Sequence, residues 1–202
     1  MTVTVSKTRD ILVDVARQLF ARMGFDNTTM NDIAQASKKG RRTLYTYFKS
    51  KADIFSAVIE SEMDSVHQQL LHLADQDMPA DEKLIAFLFA RLDAVKTVVS
   101  RNGTLKATFF RDIWQVEKAR KKFSIQETVL IKHILDDGIR EGIFEIPDTD
   151  ATAYIIHQAL KGLEVPYIRG KFGSSEADHV RQKAIIMHLI FNGIKTKEEI
   201  DR

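Results

Sequence analysis

The stretch ILVDVARQLFARMGFDNTTMNDIAQASKKGRRTLYTYFKSK, Ile11 to Lys51, decides how this chain folds. Ile11, Leu12, Val15, Ala16, Leu19, Phe20 and Met23 recur at the spacing of an amphipathic helix, which Gly24 ends and Phe25 staples. Thr29 is a plausible N-cap, and Asp32, three residues on, completes a capping-box-like pair, so a short helix runs from Met30 to about Ala36. Ser37-Lys38-Lys39-Gly40 breaks it. A third helix from about Arg41 to Phe48 follows, anchored by Leu44 and Phe48 on one face. Two short helices joined by a tight turn and backed by a longer one make a helix-turn-helix unit.

The same stretch carries the charge. Ser37 to Lys51 holds six basic residues, two tyrosines and a phenylalanine but no acid. Residues 1–51 contain ten Lys/Arg against four Asp/Glu, a balance of +6, while the other 151 residues carry 20 against 24, a balance of −4. Such a concentration suits a polyanion, which could be DNA, RNA or an anionic membrane. With Leu44 and Phe48 facing inward, Arg42, Thr43 and Thr46, and in part Arg41, Tyr45 and Tyr47, face outward. The tyrosines either join that face or pack on the first helix. In a major groove, arginine forks onto guanine edges, while lysine, threonine and tyrosine hold phosphates.

Beyond this unit the chain reads as helix. At 202 residues and 44% hydrophobic composition it builds a sizeable core, and without cysteine it holds neither disulfides nor thiolate metal sites. The N-terminus lacks a signal-peptide core, and the longest apolar run, Leu84 to Ala90, is far shorter than a membrane span, so a soluble cytoplasmic protein with no membrane partner is expected. Ile54, Phe55, Val58, Ile59, Met63, Val66, Leu70 and Leu71 mark one long helix from Lys51 to about Ala74. Further helices are expected at about 80–101, 104–112, 116–141, 149–169 and 177–193. The class is all-α, with a helix-turn-helix domain over 1–50 and a larger helical domain over 51–202. No HExxH, phosphate loop, nucleophile elbow or dinucleotide fingerprint appears, and the six histidines are scattered, so neither catalysis, cofactor nor metal is expected.

The order ILVDVARQLFARMGFDNTTMNDIAQAS followed by TLYTYFKSKADIF resembles the N-terminal domain of TetR-family transcriptional repressors, over Ile11 to Phe55. The shared features are an apolar first helix ending in Gly-aromatic, a Thr four residues before Ile-Ala, Leu-Tyr-x-x-Phe, and a Lys opening the fourth helix. The resemblance implies phosphate or backbone contacts at Thr29, Thr43, Tyr45 and Lys51, and base-edge contacts at Arg41, Arg42, Thr46 and Tyr47, with Lys38, Lys39, Gly40 and Lys49 in the same DNA-binding surface. One departure stands out. Ser37-Lys38-Lys39-Gly40 replaces the usual Ala-Gly-Val-Ser, putting lysines at the turn glycine and the buried valine.

The resemblance further implies a repressor released from a pseudo-palindromic double-stranded operator by a small molecule. Phe87, Phe109, Trp114, His133, Tyr154 and His157 are candidates for the ligand pocket, though an aromatic at helical spacing is more readily core, needing no ligand to explain it. It also implies a homodimer through the last two helices, where Ala159 and Gly162 allow close approach and Leu160, Leu163, Ile185, Met187 and Ile190 give apolar contact. The competing reading is a helical ligand-binding or scaffolding protein whose basic segment touches RNA or anionic lipid.

Overall fold

A computed structural model describes residues 2–101, 113–172 and 175–194. They form eight helices and no strand: α1 Thr2–Met23, α2 Met30–Ala36, α3 Arg41–Tyr47, α4 Lys51–Ala74, α5 Ala80–Arg101, α6 Ile113–Arg140, α7 Thr149–Ile168 and α8 Glu176–Ile194. The all-α class is therefore as the periodicity indicates. The helix expected at 104–112 lies outside the described residues. Helix α1 begins well before its apolar stripe does.

The chain divides into two compact units, Met1–Ser65 with Thr97–Lys122, and Val66–Lys96 with Phe123–Arg202. The division differs from the expected boundary at residue 50, because α4 gives Lys51–Ser65 to the first unit and the rest to the second. The reason is packing. Ile54, Phe55 and Val58 are buried, and Phe55 meets Phe20 and Phe25 with ring centroids 5.9 Å and 5.0 Å apart. Phe20 and Phe25 are themselves 5.5 Å apart, so the residue after Gly24 closes a three-ring cluster that joins the end of α1 to α4. Each fully buried side chain of this size contributes about 1.5–3 kcal/mol.

In the second unit the core is lined by Leu84, Phe87 and Leu88 of α5, Ile131, Ile134 and Leu135 of α6, and Ala153 and Leu160 of α7. At the end of α6, Gly142 takes φ +73° while its N–H donates to Ile139 O at 3.0 Å and Ile143 N–H donates to Gly138 O at 2.9 Å. Helix α7 ends alike, with Gly170 at φ +70°, its N–H on Tyr167 O at 3.0 Å and Lys171 N–H on Pro166 O at 2.9 Å. Both are Schellman turns, which need a residue in the left-handed region.

Candidate functional site

Helix α2 starts where the capping pair puts it. Asp32 N–H donates to Thr29 Oγ1 at 3.2 Å, and Thr29 N–H donates back to Asp32 Oδ2 at 2.8 Å. The Thr29 hydroxyl also donates to Asp32, and these bonds hold the Asp32 carboxyl below its ordinary value. The preceding Thr28, which carried no role in the sequence reading, is fully buried and donates to Gly24 O at 2.7 Å, closing the corner between α1 and α2.

The departed turn is a third Schellman turn. Lys38 N–H donates to Gln35 O at 3.0 Å and Lys39 N–H to Ala34 O at 3.1 Å, while Ser37 Oγ donates to Ala34 O at 3.1 Å. The left-handed position falls on Lys38, at φ 53°, the one positive-φ residue other than glycine among the described residues. Its side chain is exposed, whereas Lys39 is half-buried, as expected of a stem lying on the small core with its ammonium outside.

Gly40 caps α3 at φ −63°, ψ 146° with no side-chain bond. Leu44 and Phe48 are buried and the intervening residues fall on the other side: Arg41, Arg42, Tyr45, Thr46 and Lys49 are exposed, Thr43 and Tyr47 half-buried. The outward face read from the sequence is thus assembled, with Tyr45 outside and Tyr47 at its margin. Thr46 Oγ1 donates to Arg42 O at 3.0 Å along its own helix. The charged ends of Lys38, Lys39, Arg41, Arg42 and Lys49 form no ion pair with the described residues. Five uncompensated cations within twelve residues give a strongly positive, acid-free face.

Lys51 is placed differently from the others. Its Nζ donates to Phe25 O at 2.6 Å and Asp26 O at 3.2 Å and lies 4.4 Å from the Phe25 ring centroid. These contacts hold the segment after α1 against the start of α4. A cap that the sequence reading missed sits beside it: Lys49 and Ser50 N–H both donate to Asp53 Oδ2 at 3.0 Å, and Asp53 N–H donates to Ser50 Oγ at 3.1 Å. The signal was legible as Ser-x-x-Asp before an apolar run.

The ligand-pocket candidates differ in burial. Phe87 and His157 are buried, but Tyr154 is 57% exposed, and the half-exposed His133 faces Asp137 at 3.7 Å. Phe109 and the Trp114 side chain lie outside the described residues. Tyr167, buried, donates its hydroxyl to Asp93, and burial together with that bond raises its pKa.

The interior of the second unit holds a charge cluster. Arg91 is wholly buried, with Nε on Glu127 Oε1 at 2.5 Å, Nη2 on Glu127 Oε2 at 3.4 Å and Nη2 also on Glu164. His157 Nε2 stands 3.2 Å from Glu127 Oε2. Arg91 Nη1 and His157 Nδ1 are buried with no hydrogen-bond partner, an arrangement that costs about 1–3 kcal/mol for each group.

Of the dimer candidates, Ala159, Gly162 and Ile185 are exposed and Leu163 half-buried, but Leu160 belongs to its own core. The side chains of Met187 and Ile190 lie outside the described residues. Ile155, Val180 and Leu189, 64%, 64% and 70% exposed, add to the apolar surface of α7 and α8.

Among the described residues no group of side chains suits a metal ion, and no helix is long and apolar enough to cross a membrane. Residues 12–58 match the family model described as bacterial regulatory proteins, tetR family. The uncharacterized HTH-type transcriptional regulator YhgD of Bacillus subtilis is 24% identical over 148 residues, 73% of this chain and 78% of its own. The HTH-type transcriptional repressor KstR2 of Mycolicibacterium smegmatis is 28% identical over 150 residues, 70% and 69% of the two chains. A crystal structure of a TetR-family regulator from Pectobacterium atrosepticum superposes with TM-score 0.72 over 98% of this chain and 100% of that one, at 18% identity, which shows the shared fold.

Proposed function

We propose that the chain, whose residues 12–58 match the TetR family model, is a cytoplasmic transcriptional repressor of that family that binds a pseudo-palindromic operator as a homodimer and leaves it when a small molecule occupies the second domain. One observation supports the DNA-reading part above the others: a helix-turn-helix that carries five cations with no ion pair among the described residues, opposite a packed apolar side. A single such unit reads only a few base pairs, so two copies on a two-fold site are needed for specificity. The apolar surface of α7 and α8 supplies the contact. Release by a ligand is the family's expected mode, and it requires only a differential affinity for the two states: a hundredfold loss of operator affinity corresponds to about 2.7 kcal/mol of coupling.

The test is binding to labelled duplexes tiled across the chromosomal region around the protein's own gene, each competed with unrelated duplex and with RNA. One or more tiles are expected to resist competition by unrelated duplex. Equal affinity for all duplexes, RNA and anionic vesicles would overturn the reading and leave a general polyanion grip.

A further inference from the structure

We propose that Arg91 and His157 are the polar anchors of the ligand site in the second unit, and that the ligand is a small, largely apolar molecule carrying at least one acceptor oxygen, not a cation. The proposal rests on the reading of this unit as ligand-binding and names the chemistry recognised there. Its foundation is the pair of buried nitrogens that the cluster leaves open.

Arg91 is fixed on one side only. Its Nε and Nη2 fork onto Glu127, and Nη2 is shared with Glu164, so the guanidinium cannot turn to satisfy its remaining nitrogen without breaking these bonds. Nη1 is therefore held in place, buried and without an acceptor. A guanidinium nitrogen only donates, so whatever completes Nη1 must bring an acceptor lone pair such as an oxygen's, which an ammonium lacks. His157 is held in the same manner. Its Nε2 faces Glu127 Oε2 at 3.2 Å, which leaves Nδ1 buried and open, accepting when the ring is neutral and donating when it is charged.

The two open atoms come from α5 and α7, and both residues are oriented by one carboxylate on α6. One helical turn away along the same elements stand Phe87, Ile131, Ala153 and Leu160, all buried and apolar. Few, fixed polar atoms amid apolar side chains are the make-up of a small-molecule site. Buried polar atoms without partners are rare enough in folded proteins to call for one.

The test measures affinities for the full-length protein with four probes of one shape: naphthalene, 2-naphthol, 2-naphthoate and 2-(aminomethyl)naphthalene. The oxygenated pair is expected to bind about tenfold more tightly than naphthalene, and the amine no better than naphthalene. Arg91→Lys keeps the charge toward the two glutamates but removes Nη1, so the preference for oxygen should shrink to within about twofold while naphthalene itself binds as before. Should that variant not fold, His157→Gln, which keeps a side-chain N–H for Glu127, gives a second readout through the same preference. Failure of both oxygenated probes to bind, no preference for oxygen, or a preference that survives both substitutions would overturn the proposal. A compound that releases operator DNA undiminished by either substitution would also overturn it while leaving the repressor reading intact.

Discussion

Lys38 shows how much one dihedral angle can decide. A side chain at φ 53° suffers contacts that glycine avoids, at a cost of roughly 1–2 kcal/mol, against roughly 0.5–1 kcal/mol for the greater freedom glycine has in the unfolded chain. Lys38→Gly is therefore expected to raise stability by about 0.5–1 kcal/mol in urea titration. If the ammonium meets a phosphate, the same change lowers the salt slope of DNA binding by about one unit. Arg42 and Lys51 separate two kinds of basic residue. Arg42→Ala should cost about 1–3 kcal/mol on the operator and relax preference at one base pair in each half-site. Lys51→Ala, losing bonds to Phe25 and Asp26 and the ring contact, should destabilise the fold by about 1–3 kcal/mol yet leave the salt slope unchanged. A slope reduced for Lys51 as well would return it to the phosphates.

At the level of elements, the helix boundaries were legible where a local bond makes them. Thr29 with Asp32, and Gly24, Gly142 and Gly170 at or near helix ends, are signals within a few residues of the boundary they set. The acid dependence of the first is predictable in sign. The Asp32 carboxyl titrates below its ordinary 3.8 when folded, so its contribution is present above about pH 4 and lost as pH falls through the folded value. Acid unfolding of Asp32→Asn, followed by circular dichroism, should accordingly show a shallower loss over that window than the parent protein. Elsewhere the decisive contact is remote and was not legible. Gly138 inside α6 looks like a mere weak spot in sequence, but a Cβ there would stand 2.1 Å from the Phe144 ring. Gly138→Ala is expected to destabilise by about 1–3 kcal/mol or more, read from the thermal midpoint.

For the whole molecule, what stayed hidden was which apolar or charged residues face inward. Leu160 and Ile185 are equally apolar, yet one is 4% and the other 44% exposed, because the partner faces are set by tertiary packing that a periodic pattern does not identify. Arg91 and Glu127 are far apart in sequence and read as surface charges until the fold brings them together in the interior. The exposed remainder carries the last prediction. Ile155→Glu with Leu189→Glu should convert a dimer at micromolar concentration to monomer in sedimentation and weaken operator binding more than tenfold, since each half-site would then be gripped alone. An unchanged sedimentation coefficient would place the interface elsewhere.

The tethered ammonium of Lys51 also supplies a ready reference for chemical footprinting. Amine-directed reagents should modify Lys38, Lys39 and Lys49 readily in the free protein and slowly once duplex covers them, whereas Lys51, already engaged by two carbonyls, should react slowly in both states. Its labelling would rise only on unfolding, so a single mass spectrum would report nucleic-acid occupancy and the integrity of the reading domain together.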